Sequence, residues 1–455
     1  MSKKLDLLND NIGKIFFTYL IPSIGGMLGT SLYVLADTFF VANGIGSTGL
    51  AALNISIPIM NLFNGLGLLF GIGGATALSI SRGRKKYNEL DDIFTDSIVL
   101  CLCTGVFLTL VGLLFLDNIV SFLGGSPDTF GMAKEYLKVI FTFTIAFFLN
   151  STMTVIVRND GAPKLAMWGM LSGTIANVFL DYIFIFPLGW GMWGAAFATA
   201  LSPVISLCIL STHFIKKKNN IKLKLPNINV NRVKRILSNG FSSFITELSA
   251  GIVIFAFNAV ILTLKGDIGV AAYGIIANIS LICASIFTGV GQALQPITSV
   301  NYGARKTHRV EEAVKFAILT ALSLGVVFLL IGFIFPEPIT ALFNKDNNPE
   351  LTAITVQGIY LYFVAFIFMG LNIVLISYLQ SIEKAKASTL ISMCRGLVFI
   401  LLGLFTLPKF MDINGVWLTM PFAEIGTIIL SFVYFKEVRN ILSKSAKAFK
   451  KPSFR

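Results

Sequence analysis

Twelve long apolar runs, separated by short polar intervals, follow one another along the chain. Candidate spans fall near 14–42, 51–80, 93–116, 136–157, 164–187 and 192–215. A second set falls near 237–264, 270–300, 313–335, 354–380, 387–407 and 414–435. A helix of about 20 mainly apolar residues is enough to cross a bilayer, so the pattern predicts an all-α integral membrane protein with twelve transmembrane helices. Several runs exceed that length, which predicts tilt or extension beyond the hydrocarbon core. The first run, from Ile12 to Ala42, is too long for a signal-peptide core and reads as the first span.

The most polar internal stretch opens with Lys216-Lys217-Lys218-Asn219-Asn220 and contains Pro226. It divides the chain into a first six-helix lobe (1–215), a cytoplasmic basic linker (216–235) and a second six-helix lobe with a basic tail (236–455). The lobes share an internal repeat. At an offset of about 220 residues, Ala52 meets Ala272, Gly71 meets Gly291, Gly83 meets Gly303 and Lys86 meets Lys306, without a gap. An even number of spans in each half predicts a parallel, pseudo-symmetric repeat about an axis along the membrane normal.

Charge sets the orientation. Arg82, Arg84, Lys85, Lys86, Arg158, Lys164, the stretch Lys216 to Arg235, Arg305, Lys306, Arg309, Lys384, Lys386 and the tail from Lys436 all fall in alternate intervals. The other intervals receive only Lys134, Lys138, Lys265, Lys345 and Lys409. Under the positive-inside rule both termini, including Lys3 and Lys4, lie in the cytoplasm of a multi-pass plasma-membrane protein. The net charge of +13 and pI near 9.5 are therefore orientation signals, and no nucleic-acid partner is expected. Composition agrees: 55% hydrophobic and 13% charged residues, with mean hydropathy +0.79, against roughly 25% charged in soluble chains.

The sequence excludes several chemistries. No phosphate-binding G-x-x-x-x-G-K-[ST] loop is present, so no ATPase drives the protein. His213 and His308 are the only histidines and both stand beside basic clusters, which argues against zinc chemistry and against a Ser-His-Asp hydrolase. The five cysteines lie inside apolar runs; their odd number and lack of paired loop spacing predict no disulfide framework. No enzyme activity, cofactor or metal centre is expected, and the chain reads as a monomer. Trp190, Trp193 and Trp417 lie near expected outer boundaries and read as interfacial belt residues.

Ionisable groups inside a bilayer are costly, on the order of 2.5–3.5 kcal/mol at a helix centre, so each one asks for a role. Asp37, Asp181, Glu247, Glu424 and Arg395 stand inside spans. With a rise of about 1.5 Å per residue, Asp37 lies roughly 35 Å along helix one, and Asn177 and Asp181 roughly 20 and 26 Å along helix five. Asn177 and Asp181, four apart, share a helix face. Tilt would bring the two acids to one level as a proton or Na⁺ site. Alternatively, Asp37 lies at the outer interface and Asp181 caps a loop group. In the second lobe an Arg395–Glu pair neutralises itself, or a charge site forms around the leftover acid. Pro22 removes a backbone hydrogen bond within helix one, as a tolerated kink or as a hinge.

Pro22 to Asp37, the Gly-rich Gly65-Leu66-Gly67 to Arg84, Arg158-Asn159-Asp160-Gly161, Asn177-Val178-Phe179-Leu180-Asp181, Gln295-Pro296-Ile297 and Asn301-Tyr302-Gly303-Ala304 together resemble the multidrug and toxic compound extrusion (MATE) family. The resemblance covers essentially the whole chain and is nearest to bacterial drug exporters of the MepA-like and DinF-like type. It implies a cation-coupled antiporter for cationic, amphipathic drugs, with H⁺ or Na⁺ as coupling ion. It carries the coupling role to Asp37, Asn177 and Asp181, with Thr199 as a further match, and Na⁺ is the only metal that such a site would take. It matches Pro22 to the helix-one bend and Glu247 to an acid on helix seven. Where some members carry a second acid on helix ten, this chain has Asn372, which favours the first-lobe site. A lipid-linked precursor flippase, a membrane-bound enzyme and a non-transporting drug sensor are the competing readings.

Overall fold

The computed structural model describes residues 5–344 and 347–449, with side chains through Tyr434. The basic side chains expected at Lys3, Lys4, Lys345 and from Lys436 onward lie outside these. Every regular element among the described residues is helical. The first nine are α1 (Ile12–Gly44), α2 (Ser47–Gly83), α3 (Tyr87–Leu114), α4 (Leu116–Phe122), α5 (Phe130–Thr142), α6 (Thr144–Asn159), α7 (Pro163–Ile185), α8 (Gly191–Ile215) and α9 (Val230–Gly303). Then come α10 (Thr307–Ile334), α11 (Pro336–Ala341), α12 (Pro349–Tyr362), α13 (Ala365–Ser381) and α14 (Ala385–Met393). A π-helical turn (Cys394–Val398) leads into α15 (Phe399–Thr406), α16 (Pro408–Met411) and α17 (Ile413–Phe449).

Nine helices among the described residues are long and apolar enough to cross a membrane, and two bent pairs bring the number to eleven. The twelfth comes from α9, whose 74 residues are broken at Gly266 (φ 60°, ψ −154°). Only glycine adopts that conformation freely, so one residue does the work of the short loop expected between 264 and 270. The bent pairs are α5–α6 (55°) and α12–α13 (47°). No proline marks the first bend. Instead the Phe143 N–H is shared between the Val139 and Ile140 carbonyls at 3.2 Å each, and the Thr144 hydroxyl donates to the Phe141 carbonyl at 2.7 Å. Continuous apolar composition hid both bends.

The internal repeat is visible in backbone and packing. α3 and α10 each have 28 residues, and each follows a residue at φ 60°, Lys85 and Arg305. A side chain on Gly112 would strike Phe141, and one on Gly332 would strike Phe363. Gly105 likewise meets Ile145, as Gly325 meets Ile367.

The chain forms two compact units: Ile21–Leu248, and Asp6–Leu20 with the residues from Ser249 on. Each half lends its first segment to the other unit. In the second unit, Phe16 stacks on Phe316 with ring centroids 6.1 Å apart, and Asn301 Nδ2 donates to the Leu7 carbonyl at 3.0 Å. In the first unit, α9 opens against α2 so closely that a Cβ on Gly240 would collide with the Leu69 carbonyl, and one on Gly73 with the Ile236 carbonyl. Pro22 lies just past the point where α1 passes from one unit to the other.

One expected belt residue is misplaced. Trp190 and Trp193 are 43% and 41% exposed, but Trp417 is fully buried, stacked on Tyr273 and packed over Gly358. Position near a helix end does not tell a lipid-facing side from one that faces a neighbouring helix.

Candidate functional site

In the first unit, small residues bring α1 onto α7. Gly25 meets Met167, Gly26 meets Met170, Gly29 meets Leu171 and Gly44 meets Ile185. The constant register means that the two helices run parallel, and small residues permit this close approach. Continued from Gly29 and Leu171, the register carries Asp37 to the level of Asp181. α7 packs antiparallel on α8 through Gly169 against Ser206 and Leu210, and Gly173 against Ser202. That register sets Asn177 opposite Thr199.

The four predicted residues converge. Asp37 is 7% exposed, Thr199 2%, and Asn177 and Asp181 0%. The carboxyl groups of Asp37 and Asp181 are in side-chain hydrogen-bond contact. With its amide oriented to satisfy both neighbours, Asn177 donates to Asp181 Oδ2 at 3.2 Å and accepts from the Thr199 N–H at 3.3 Å. Asp37 Oδ1, Asp181 Oδ1 and Thr199 Oγ1 are buried without a hydrogen-bond partner. Two tyrosines stand near the cluster: Tyr33 on α1 and Tyr136 on α5, the latter beside Thr199. Tyr33 lies one turn before Asp37, so its place on that face was available from spacing. Tyr136 comes from α5 and left no signal in the sequence.

In the second unit, Arg395 and Glu424 pair. Arg395 Nε lies 2.9 and 3.1 Å from the two Glu424 carboxylate oxygens, and Nη2 lies 2.8 Å from Oε1. Asn372 Nδ2 donates to Glu424 Oε2 at 2.7 Å and to its carbonyl at 2.9 Å. Glu424 and Asn372 are 1% and 0% exposed. Arg395 stands in the π-helical turn, a single-turn bulge of a kind frequent at functional sites. Glu247 belongs to the first unit, its Cβ packed on Gly65 of α2. It has no hydrogen-bond or ion-pair partner among the described residues. Pro22 is buried inside α1.

His213 pairs with Asp160, Nε2 to Oδ2 at 2.9 Å, and its Nδ1 has no partner. Among the described residues, no serine hydroxyl bonds to that imidazole. The five cysteines are free.

Helices long and apolar enough to cross a membrane, with buried ionisable clusters inside each unit, are the marks of a membrane transporter. The MatE family model matches residues 22–183 and 243–405, one copy in each half, and the chain belongs to that family of secondary transporters, which are not enzymes. It is 26% identical over 416 residues to the multidrug export protein MepA of Staphylococcus saprophyticus, covering 89% of each chain. It is 26% identical over 440 residues to MepA of Staphylococcus haemolyticus, covering 95% of each. Among solved structures, the outward-facing conformation of a multidrug resistance MATE family transporter of the MOP superfamily matches with TM-score 0.92 at 25% identity, over 98% of this chain and 99% of that one.

Proposed function

We propose that this protein exports cationic, amphipathic drugs across the plasma membrane by alternating access, as a monomer with both termini cytoplasmic. The driving ion exchanges at Asp37 and Asp181. The observation that carries this reading is the contact between their two buried carboxyl groups. Two carboxylates in contact repel, so the pair must take up a cation. A proton fits a carboxyl–carboxyl hydrogen bond, whereas Na⁺ would have to part the oxygens, and we favour H⁺ on that ground. Asn177 and Thr199 orient Asp181, and Pro22 lets α1 bend as the pair gains or loses its cation. The partnerless Glu247 offers a negative charge to a cationic substrate. The export function also rests on the MepA relatives.

A flippase for lipid-linked phosphates would need several free cations inside the spans. Arg395 is committed to Glu424 through Nε and Nη2, so we set that reading aside.

Asp37→Asn is expected to reach the membrane at wild-type levels, to confer no drug resistance, and to abolish drug-driven dissipation of ΔpH in proteoliposomes. Full retained efflux overturns the mechanism. Transport that follows a Na⁺ gradient and ignores ΔpH transfers the coupling to sodium.

A further inference from the structure

Between α8 and α9 the chain is extended yet firmly held. Lys217 takes a left-handed conformation (φ 52°) that ends α8, and the Lys217 and Lys218 N–H groups bond back to Phe214 and His213 at 3.0 Å each. The Asn220 N–H donates to Asp160 Oδ2 at 2.9 Å. Ile221 is 1% exposed in the apolar cluster under α2 and α3. The Lys222 N–H donates to Asp91 Oδ1 at 2.9 Å and the Lys224 N–H to Thr95 Oγ1 at 3.1 Å, both on α3. Lys224 Nζ adds an ion pair to Asp91 at 3.1 Å. Past the strap, Arg232 holds Asp96 at 2.7 Å.

A segment held this way cannot turn its apolar side chains inward. Leu223 is 62% exposed, Leu225 92% and Ile228 59%, beside Ile215 at 75%. Lys216, Lys217, Lys218 and Lys222 are exposed, and none has a carboxylate partner among the described residues. The strap thus shows apolar side chains and unpaired cations together, at the end of the unit where α8 stops and α3 and α9 start. A bilayer interface offers both complements at that level: acyl chains beneath and phosphates above. A soluble acidic partner would meet the lysines and leave Leu225 in water.

We propose that residues 215–228 form a binding site for the anionic glycerophospholipids of the surrounding leaflet. Leu223, Leu225 and Ile228 enter the acyl boundary, and Lys216, Lys217, Lys218 and Lys222 bind the phosphates. The site is independent of the coupling residues.

Two measurements in nanodiscs of phosphatidylcholine and phosphatidylglycerol test it. Leu225→Trp, compared with wild type to remove the native tryptophan signal, reports depth through quenching by brominated acyl chains. Spin-labelled phosphatidylglycerol, compared with spin-labelled phosphatidylcholine, reports selectivity. Strong quenching at position 225 is expected, with preferential association of the anionic lipid. Each of the four lysines changed to Gln should weaken that association about fivefold, while Lys→Arg at the same positions keeps it. These side chains are exposed and carry no ion pair among the described residues, so the variants should fold normally. An unquenched Trp at 225, equal association of both lipids, unchanged selectivity in the Gln variant, or displacement of the anionic lipid by millimolar inorganic phosphate overturns the proposal.

Discussion

Asp160→Asn is the substitution whose size follows most directly from the structure. Asp160 ends α6 and is 2% exposed. It gathers three other elements: Arg82 at the end of α2 pairs with Oδ1, His213 on α8 lies 2.9 Å from Oδ2, and Asn220 of the strap donates its N–H to Oδ2 and its Nδ2 to Oδ1, each at 2.9 Å. Burial pushes the Asp160 carboxyl up, but the His213 hydrogen bond, the Arg82 charge and the two Asn220 donors outweigh it. They hold the carboxyl at about 2 instead of the ordinary 3.8. At 1.36 kcal/mol per pH unit, this environment contributes about 2 kcal/mol. A carboxyl held low stabilises the fold fully above its unfolded value and loses the effect as pH falls through the folded one. The wild type should therefore exceed Asp160→Asn by about 2 kcal/mol at pH 7, with about half of that left at pH 3. Thermal unfolding of the purified proteins in detergent across that range measures the gap. At pH 7.5, trypsin should also cleave the variant faster at Lys218 and Lys222, because the strap has lost its anchor. A gap that stays constant between pH 7 and pH 3, or no gap at pH 7, would refute the reasoning.

Substitutions at Arg395 and Trp417 probe the second unit. Arg395→Met strands the buried Glu424 carboxylate and should cost about 3–5 kcal/mol, most of it recovered in Arg395→Met/Glu424→Gln; a double variant as unstable as the sum of the singles, judged by melting, would deny the pair. Trp417→Ala should cost about 3–5 kcal/mol. Trp417→Phe should cost much less, because Nε1 has no partner to lose, and equal melting losses for Phe and Ala would contradict that.

What the sequence made legible followed from one-dimensional physics. Apolar run length located the spans, the loop charges predicted an orientation, and the separation of four residues placed Asn177 and Asp181 on one face. Relations across helices were invisible. Tyr136 joins the cluster only because α5 packs beside α8, and Trp417 is buried by Tyr273 and Gly358, distant in sequence. The α5–α6 bend turns on how one N–H is shared, which apolar composition does not encode. Gly266 was in view, but nothing local shows that one glycine suffices where a loop is expected. Glu247 falls with the first unit because Gly73 and Gly240 let α9 lie directly on α2, a contact read only from both helices together.

The repeat makes the chemical difference between the halves intelligible. α7 and α8 begin at Pro163 and Gly191, and their counterparts α14 and α17 begin at Ala385 and Ile413, the same distance on in each case. In that register Gly173 corresponds to Arg395 and Ser202 to Glu424. Where the first unit closes two helices through Gly173 on Ser202, the second places a guanidinium on a carboxylate. The π-helical turn at Cys394–Val398 carries that guanidinium. Asp181 corresponds to Gly403, which packs on Thr419. The first unit thus sets an acid against an acid. The second carries its cation on a tether, and Asn372 takes up the remaining capacity of Glu424. An exchangeable ion gains nothing from a carboxylate that already holds a guanidinium, and this is why the proposal assigns coupling to the first unit.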